Sequence, residues 1–115
     1  MYIQKMIIDK KLDLIYSYVS EYENSRNPND FNKSSISDFF SNAVAYVDYS
    51  HKNEIQAEMN EIIKTGVKEM DALQVASAII GKADYFLTTD KRLLKYQTDK
   101  IHIINPIDFV RDVEV

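Results

Sequence analysis

Three carboxylates, Glu23, Asp71 and Asp90, carry the strongest chemical signal in the chain, because each stands beside the expected end of a strand or the start of a helix. Carboxylates gathered in one cleft repel one another unless a hard cation neutralises them. Mg2+ or Mn2+ suits such a cleft, since either takes few protein oxygens and keeps waters that can attack a phosphate. The chemistry of the set is hydrolytic. Each acid also has an ordinary explanation: Asp71 as a first-turn acid favoured by the helix dipole, Asp90 as an N-cap, and Glu23 as an exposed helix residue. Lys91, Arg92 and Lys95 form the densest basic cluster, just after Asp90, and taken alone they read as a solvated helix face.

Those acids need a scaffold, and 115 residues suffice for one domain with a single core. The 45% apolar and 28% charged residues are ordinary for a globular chain and give no support to disorder or a membrane span. No basic and apolar leader follows Met1, so a cytoplasmic location is expected. With zero cysteines, disulfides, thiolate zinc sites and a Cys nucleophile are excluded. His51 and His102 stand far apart and outside any metal-binding spacing, so a metal would be held by oxygen. The net charge of -4, from 18 acidic and 14 basic side chains, argues against coating phosphate backbones by bulk charge and leaves only a local basic patch for that role.

Helices and short strands alternate along the chain, without repeats or a linker. Ile3, Met6 and Ile7 mark an amphipathic helix over residues 2–10 with no N-cap before it. Residues 12–18 read as a buried strand, with Ser17 capping a helix to about Ser25, and Asn27-Pro28-Asn29-Asp30 breaks that helix. Ile36, Phe39 and Phe40 share a face of a helix over 34–43, and residues 44–47 suit a second strand. Ser50 is expected to cap a long helix carrying Ile55, Met59, Ile62 and Ile63, which ends with Gly66 in the left-handed region. Residues 71–81 form the most apolar helix, 85–89 a strand ending in Asp90, 91–96 a helix and 101–104 a strand, with Pro106 opening the last helix. Strands separated by helices pair in parallel, so the expected fold is a three-layer α/β/α sandwich on a mostly parallel sheet of about four strands, with any site at the carboxyl edge.

The run Lys68-Glu69-Met70-Asp71-Ala72-Leu73-Gln74-Val75-Ala76-Ser77-Ala78-Ile79, followed by Ala83-Asp84-Tyr85-Phe86-Leu87-Thr88-Thr89-Asp90-Lys91, resembles the C-terminal half of PIN-domain nucleases. Ser17 with Glu23 six residues later is similar to the Ser and Glu of the family's second-strand motif, and Glu23-Asn24 with Asn27-Pro28 resembles one bacterial subgroup. The resemblance spans residues 2–112. It implies a divalent-metal ribonuclease, in which four acids hold one or two Mg2+ or Mn2+ ions that activate water for in-line attack on an RNA phosphodiester. Glu23, Asp71 and Asp90 match three of those acids, Thr89 the hydroxyl that orients the metal or its water, and Lys91 or Arg92 would steer the phosphate. Gln74, one turn after Asp71, points towards the same region.

The fourth acid of that pattern ends an opening central strand, which has no counterpart here. Asp9, in Ile7-Ile8-Asp9, precedes the Ser17–Glu23 element by too few residues for a crossover of a dozen or more, and Glu21 does not face Glu23 at i, i+2. The absent strand would lie between the strands at 12–18 and 85–89, where each buried unpaired backbone group costs roughly 1 to 3 kcal/mol. Either those two strands pair directly or a second chain supplies the pairing. The resulting expectation is a PIN-like ribonuclease of the toxin class, weakened or inactive, acting on RNA and paired with an antitoxin protein. The alternative is a non-catalytic remnant that oligomerises or binds protein through the sheet gap. A phosphate-receiver domain would require paired acids at a first-strand end, which are absent.

Overall fold

The computed structural model describes residues 2–9, 12–26 and 28–113. The side chains of Ile3, Glu21, Glu23 and Phe39, together with Lys10 and Asn27, lie outside the described residues. The order of elements is α1 (Tyr2–Ile8), β1 (Ile15–Ser17), α2 (Tyr18–Ser25), α3 (Asp30–Phe40), β2 (Ala45–Val47), a single 3-10 turn (Tyr49–His51), α4 (Lys52–Ile63), α5 (Glu69–Ile80), β3 (Tyr85–Leu87), α6 (Lys91–Leu94), β4 (His102–Ile104) and α7 (Pro106–Val113). The chain is an α/β fold with parallel pairing, and each of the four expected strands is present but only three residues long.

The expected single sheet is split. β1 pairs with β2 in register Ile15 to Ala45, and β3 pairs with β4 in register Tyr85 to His102, giving two sheets of two strands each. Direct pairing of β1 with β3 does not occur. Short strands accompany the split: each ladder of three residues has few hydrogen bonds with which to extend the sheet. Gly81, just beyond α5, lies close against β1 and β2. A Cβ at Gly81 would stand 2.7 Å from the Val47 Cγ2 and 3.1 Å from the Ile15 Cγ2, so only glycine lets the chain pass here. Gly81 thus packs against the first residue of β1 and the last residue of β2, four residues ahead of β3.

The main core is built from α4 and α5 against one side of the strands. Ile55, Ile62, Val75, Ala72 and Ala76 are essentially inaccessible, and Val47, Leu93 and Ile101 close the cluster. The alanines let the backbone of α5 approach closely, and each fully buried Ile or Val contributes about 1.5 to 3 kcal/mol. Alternation then sends Phe86 and Ile103 into this core and their neighbours Leu87 and Ile104 into a smaller cluster with Phe109, Ile7 and Leu12. On the β1–β2 side, Tyr16 stacks on Phe40 at 4.8 Å and on Tyr46 at 4.7 Å.

Helix ends follow local chemistry, with one correction to the sequence reading. Asp48, not Ser50, is the acceptor that opens the segment ahead of α4: its carboxylate accepts from the Ser50 amide at 2.9 Å and from the Ser50 hydroxyl. Those bonds hold the Asp48 carboxyl below the usual carboxylate range. The Ser17 Oγ accepts from the Ser20 amide at 3.3 Å, as expected of a cap for α2. Asn105 caps α7, accepting from the Asp108 amide at 2.8 Å while its own amide donates to the Asp108 carboxylate at 2.8 Å. Gly66 has the expected left-handed backbone, with φ of 97°. After α5 the left-handed position falls instead on Lys82, with φ of 62°, because Gly81 is needed for close approach rather than for its backbone angle.

Candidate functional site

Between β1 and β3 lies a slot of about 710 Å³. Its two long walls are the strands themselves, Ile15, Tyr16 and Ser17 on one side and Tyr85, Phe86 and Leu87 on the other. One face is closed by Gln74, Ser77 and Ala78 of α5, the opposite face by Ile7, Leu12 and Phe109. No backbone hydrogen bond joins β1 to β3 among the described residues, so each strand presents an edge to the slot. A parallel strand with its neighbours occupies about 4.8 Å across, 10 Å through the sheet and 3.3 Å along per residue, so the slot holds roughly four to five residues of extended chain.

The two ends of the slot differ chemically. At the amino end stand Asp13, before β1, and Asp84, before β3, both exposed, with Lys82 nearby. At the carboxyl end stand the hydroxyls of Ser17 and Ser20; Ser17 is buried to 2% exposure and the two oxygens lie 3.4 Å apart.

Asp71 is not in this slot. It sits in the first turn of α5 and lines a separate cavity of about 290 Å³, where Lys68, Arg92 and Lys95 surround it with Thr65 and Tyr96. Gln74, one turn further along α5, lines the slot, while Asp71 lines the smaller cavity. Asp90 is exposed and does cap α6, its Oδ1 accepting from the Arg92 amide at 2.8 Å and the Leu93 amide at 3.4 Å. That carboxylate is therefore partly committed to the helix terminus. The hydroxyl bonded to the Asp90 backbone is Thr88, whose Oγ1 accepts from the Asp90 amide at 3.1 Å, whereas Thr89 is exposed. Lys91 is exposed and lines neither space, while Arg92 faces the Asp71 cavity. The Glu23 backbone lies in α2; its side chain lies outside the described residues.

Among the described residues no three His, Asp or Glu side chains converge in a way that could hold a metal. Sequence reasoning placed Asp71 and Asp90 correctly beside a helix start and a strand end; it missed Lys68, which lines the same cavity as Asp71, and Asp13 and Asp84, which line the slot. The parallel position of those two acids, each just ahead of a strand, was the signal available for the pair. No helix among the described residues is long and apolar enough to cross a membrane.

The class defined by fold and site is an α/β domain with parallel two-stranded sheets set apart by a strand-sized slot. No family model, no curated protein and no solved structure matches the chain.

Proposed function

We propose that the chain is a PIN-like α/β domain that works as a protein-binding module, a three-layer sandwich whose central strand is supplied by a partner. The observation that carries this reading is the slot: residues of two strands that do not pair with each other line one space large enough for an extended segment. Filling it would pair the backbone groups of β1 and β3 and bury apolar side chains on both faces, which offsets the cost of ordering the incoming segment. A protein partner of the antitoxin kind, or a second copy of the chain, suits such a site. The test is hydrogen exchange of the β1 and β3 amides with and without a cell extract fractionated for binding to the immobilised domain: new protection confined to those strands supports the reading, and bound protein with no protection there sinks it.

A second reading, RNA cleavage of the PIN type, is favoured by the cations Lys68, Arg92 and Lys95 around Asp71, an arrangement suited to a phosphate. These side chains would bind and orient the backbone of single-stranded RNA in the cytoplasm; Mg2+ or Mn2+, held in part by Glu23, Asp71 and Asp90, would supply the hydrolytic chemistry. Incubating labelled single-stranded RNA with Mn2+ tests it: cleavage lost in Asp71→Asn and Asp90→Asn supports catalysis, and uncleaved RNA across metal concentrations removes the activity from this chain.

A further inference from the structure

We infer that the smaller cavity at the start of α5 binds a phosphomonoester, the terminal phosphate of a nucleoside 5′-monophosphate. The inference goes beyond both readings above, since it requires no strand in the slot, no metal ion and no cleavage. It starts from charges that the fold gathers without pairing them. Lys68 comes from the residue ahead of α5, Arg92 from α6 and Lys95 from its cap, and all three line one space of about 290 Å³. Among the described residues none of the three makes an ion pair, not even with the Asp71 carboxylate in the same cavity, whereas Lys64, Lys100 and Arg111 elsewhere each have a carboxylate partner. Like charges held around a concavity repel one another, and a bound anion relieves that repulsion.

The class of anion follows from what lines the cavity. A phosphomonoester presents three strong acceptor oxygens and about −1.5 to −2 charges near neutral pH, so three separate cations match it better than they match the lower charge of an internal phosphodiester. Arg92 supplies a planar fork that can hold two of those oxygens at once, and the two lysines act as point charges. The Asp71 carboxylate repels a bare phosphate and accepts hydrogen bonds from hydroxyls, so the ligand carries hydroxyl donors close to its phosphate, as a ribose does. Tyr96, half-buried and packed against the core, gives an aromatic wall for the sugar or base. The volume stands at the small end of the roughly 300–1,000 Å³ of small-molecule sites, which suits one nucleotide unit rather than a run of several.

The test is calorimetric titration of the intact protein in EDTA with adenosine 5′-monophosphate and with adenosine 3′,5′-cyclic monophosphate, the same nucleoside as a diester. The monoester should bind about ten-fold more tightly than the cyclic diester, and Arg92→Gln and Lys95→Gln should each weaken it about three- to ten-fold. Lys64→Gln removes the same charge from a lysine that stands next to the cavity without lining it, and should leave the affinity unchanged. Asp71→Asn should narrow the preference for the nucleotide over inorganic phosphate. A short RNA with and without a 5′-phosphate then tells the source of the ligand: binding that requires the 5′-phosphate assigns an RNA end, and exclusion of both RNAs while the mononucleotide binds assigns a free nucleotide. Equal affinity for the monoester and the cyclic diester, an equal loss in Lys64→Gln and Arg92→Gln, or no binding at millimolar concentration overturns the inference. Cleavage with Mn2+ is scored in a separate assay, so the RNA-cleaving reading and the phosphomonoester site fail independently.

Discussion

The two sides of α5 face opposite problems. Towards α4, the helix packs Ala72, Val75 and Ala76 into a space from which water is excluded. Towards the strands, Gln74, Ser77 and Ala78 line a slot that no described residue fills. A single helix of ordinary length therefore borders both a closely packed core and an open slot. The difference suggests a division to be tested: the α4–α5 core carries most of the buried apolar side chains among the described residues, and the slot carries few.

The largest test of that separation compares a core deletion with a slot deletion. Ile62→Ala, at 1% exposure, should cost about 2 to 5 kcal/mol by urea denaturation, while Leu12→Ala, half-buried on the slot face, should cost about 1 kcal/mol. Equal losses would mean that the slot is as integral as the core. Next, Gly81→Ala should destabilise by about 1 to 3 kcal/mol, since its new methyl group presses on Val47 and Ile15 where the two regions meet. Lys82→Gly should do the opposite by about 1 kcal/mol, relieving a left-handed backbone at a non-glycine residue, with thermal melting as the measurement.

The smallest effect concerns pH. Lys100 binds both carboxylate oxygens of Glu58, at 2.9 and 3.0 Å, and that bond holds its ammonium group above its ordinary value of 10.5. A raised folded pKa contributes stability that is fully present below 10.5 and fades as pH climbs through the folded value. Denaturation midpoints should thus fall above pH 10.5 in the native chain, and Glu58→Gln should flatten that fall without altering the slot.

Much of this architecture was legible from residue types alone. The β-branched and aromatic runs marked all four strands, the alanine-rich pattern marked α5, and Asp90 behaved as a cap because it directly precedes a helix. What stayed hidden depended on distance in space. The sheet splits because three-residue ladders cannot impose one continuous sheet, a matter of summed weak bonds that no single residue announces. Asp71 lines a different cavity from Gln74 because it sits one turn nearer the start of α5, beside the loop of Thr65 to Lys68, although the two residues share a helix face. Asp48 displaced Ser50 as the cap because a 3-10 turn intervenes before α4, and such turns leave little trace in hydrophobic period.

The unequal separation of paired strands also has a kinetic consequence. The ladder of β3 with β4 closes a short stretch of chain containing only α6, whereas β1 with β2 must close a longer one containing α2 and α3. Loop closure is costlier for the longer stretch, so the C-terminal ladder can be established early and the N-terminal one docks onto it late. Substitutions at Phe86 should then slow refolding, while those at Tyr16 should chiefly hasten unfolding, a contrast that stopped-flow measurement resolves. One wall of the slot would be assembled before the other arrives, and during that interval a newly made chain could take up a partner strand as part of its folding.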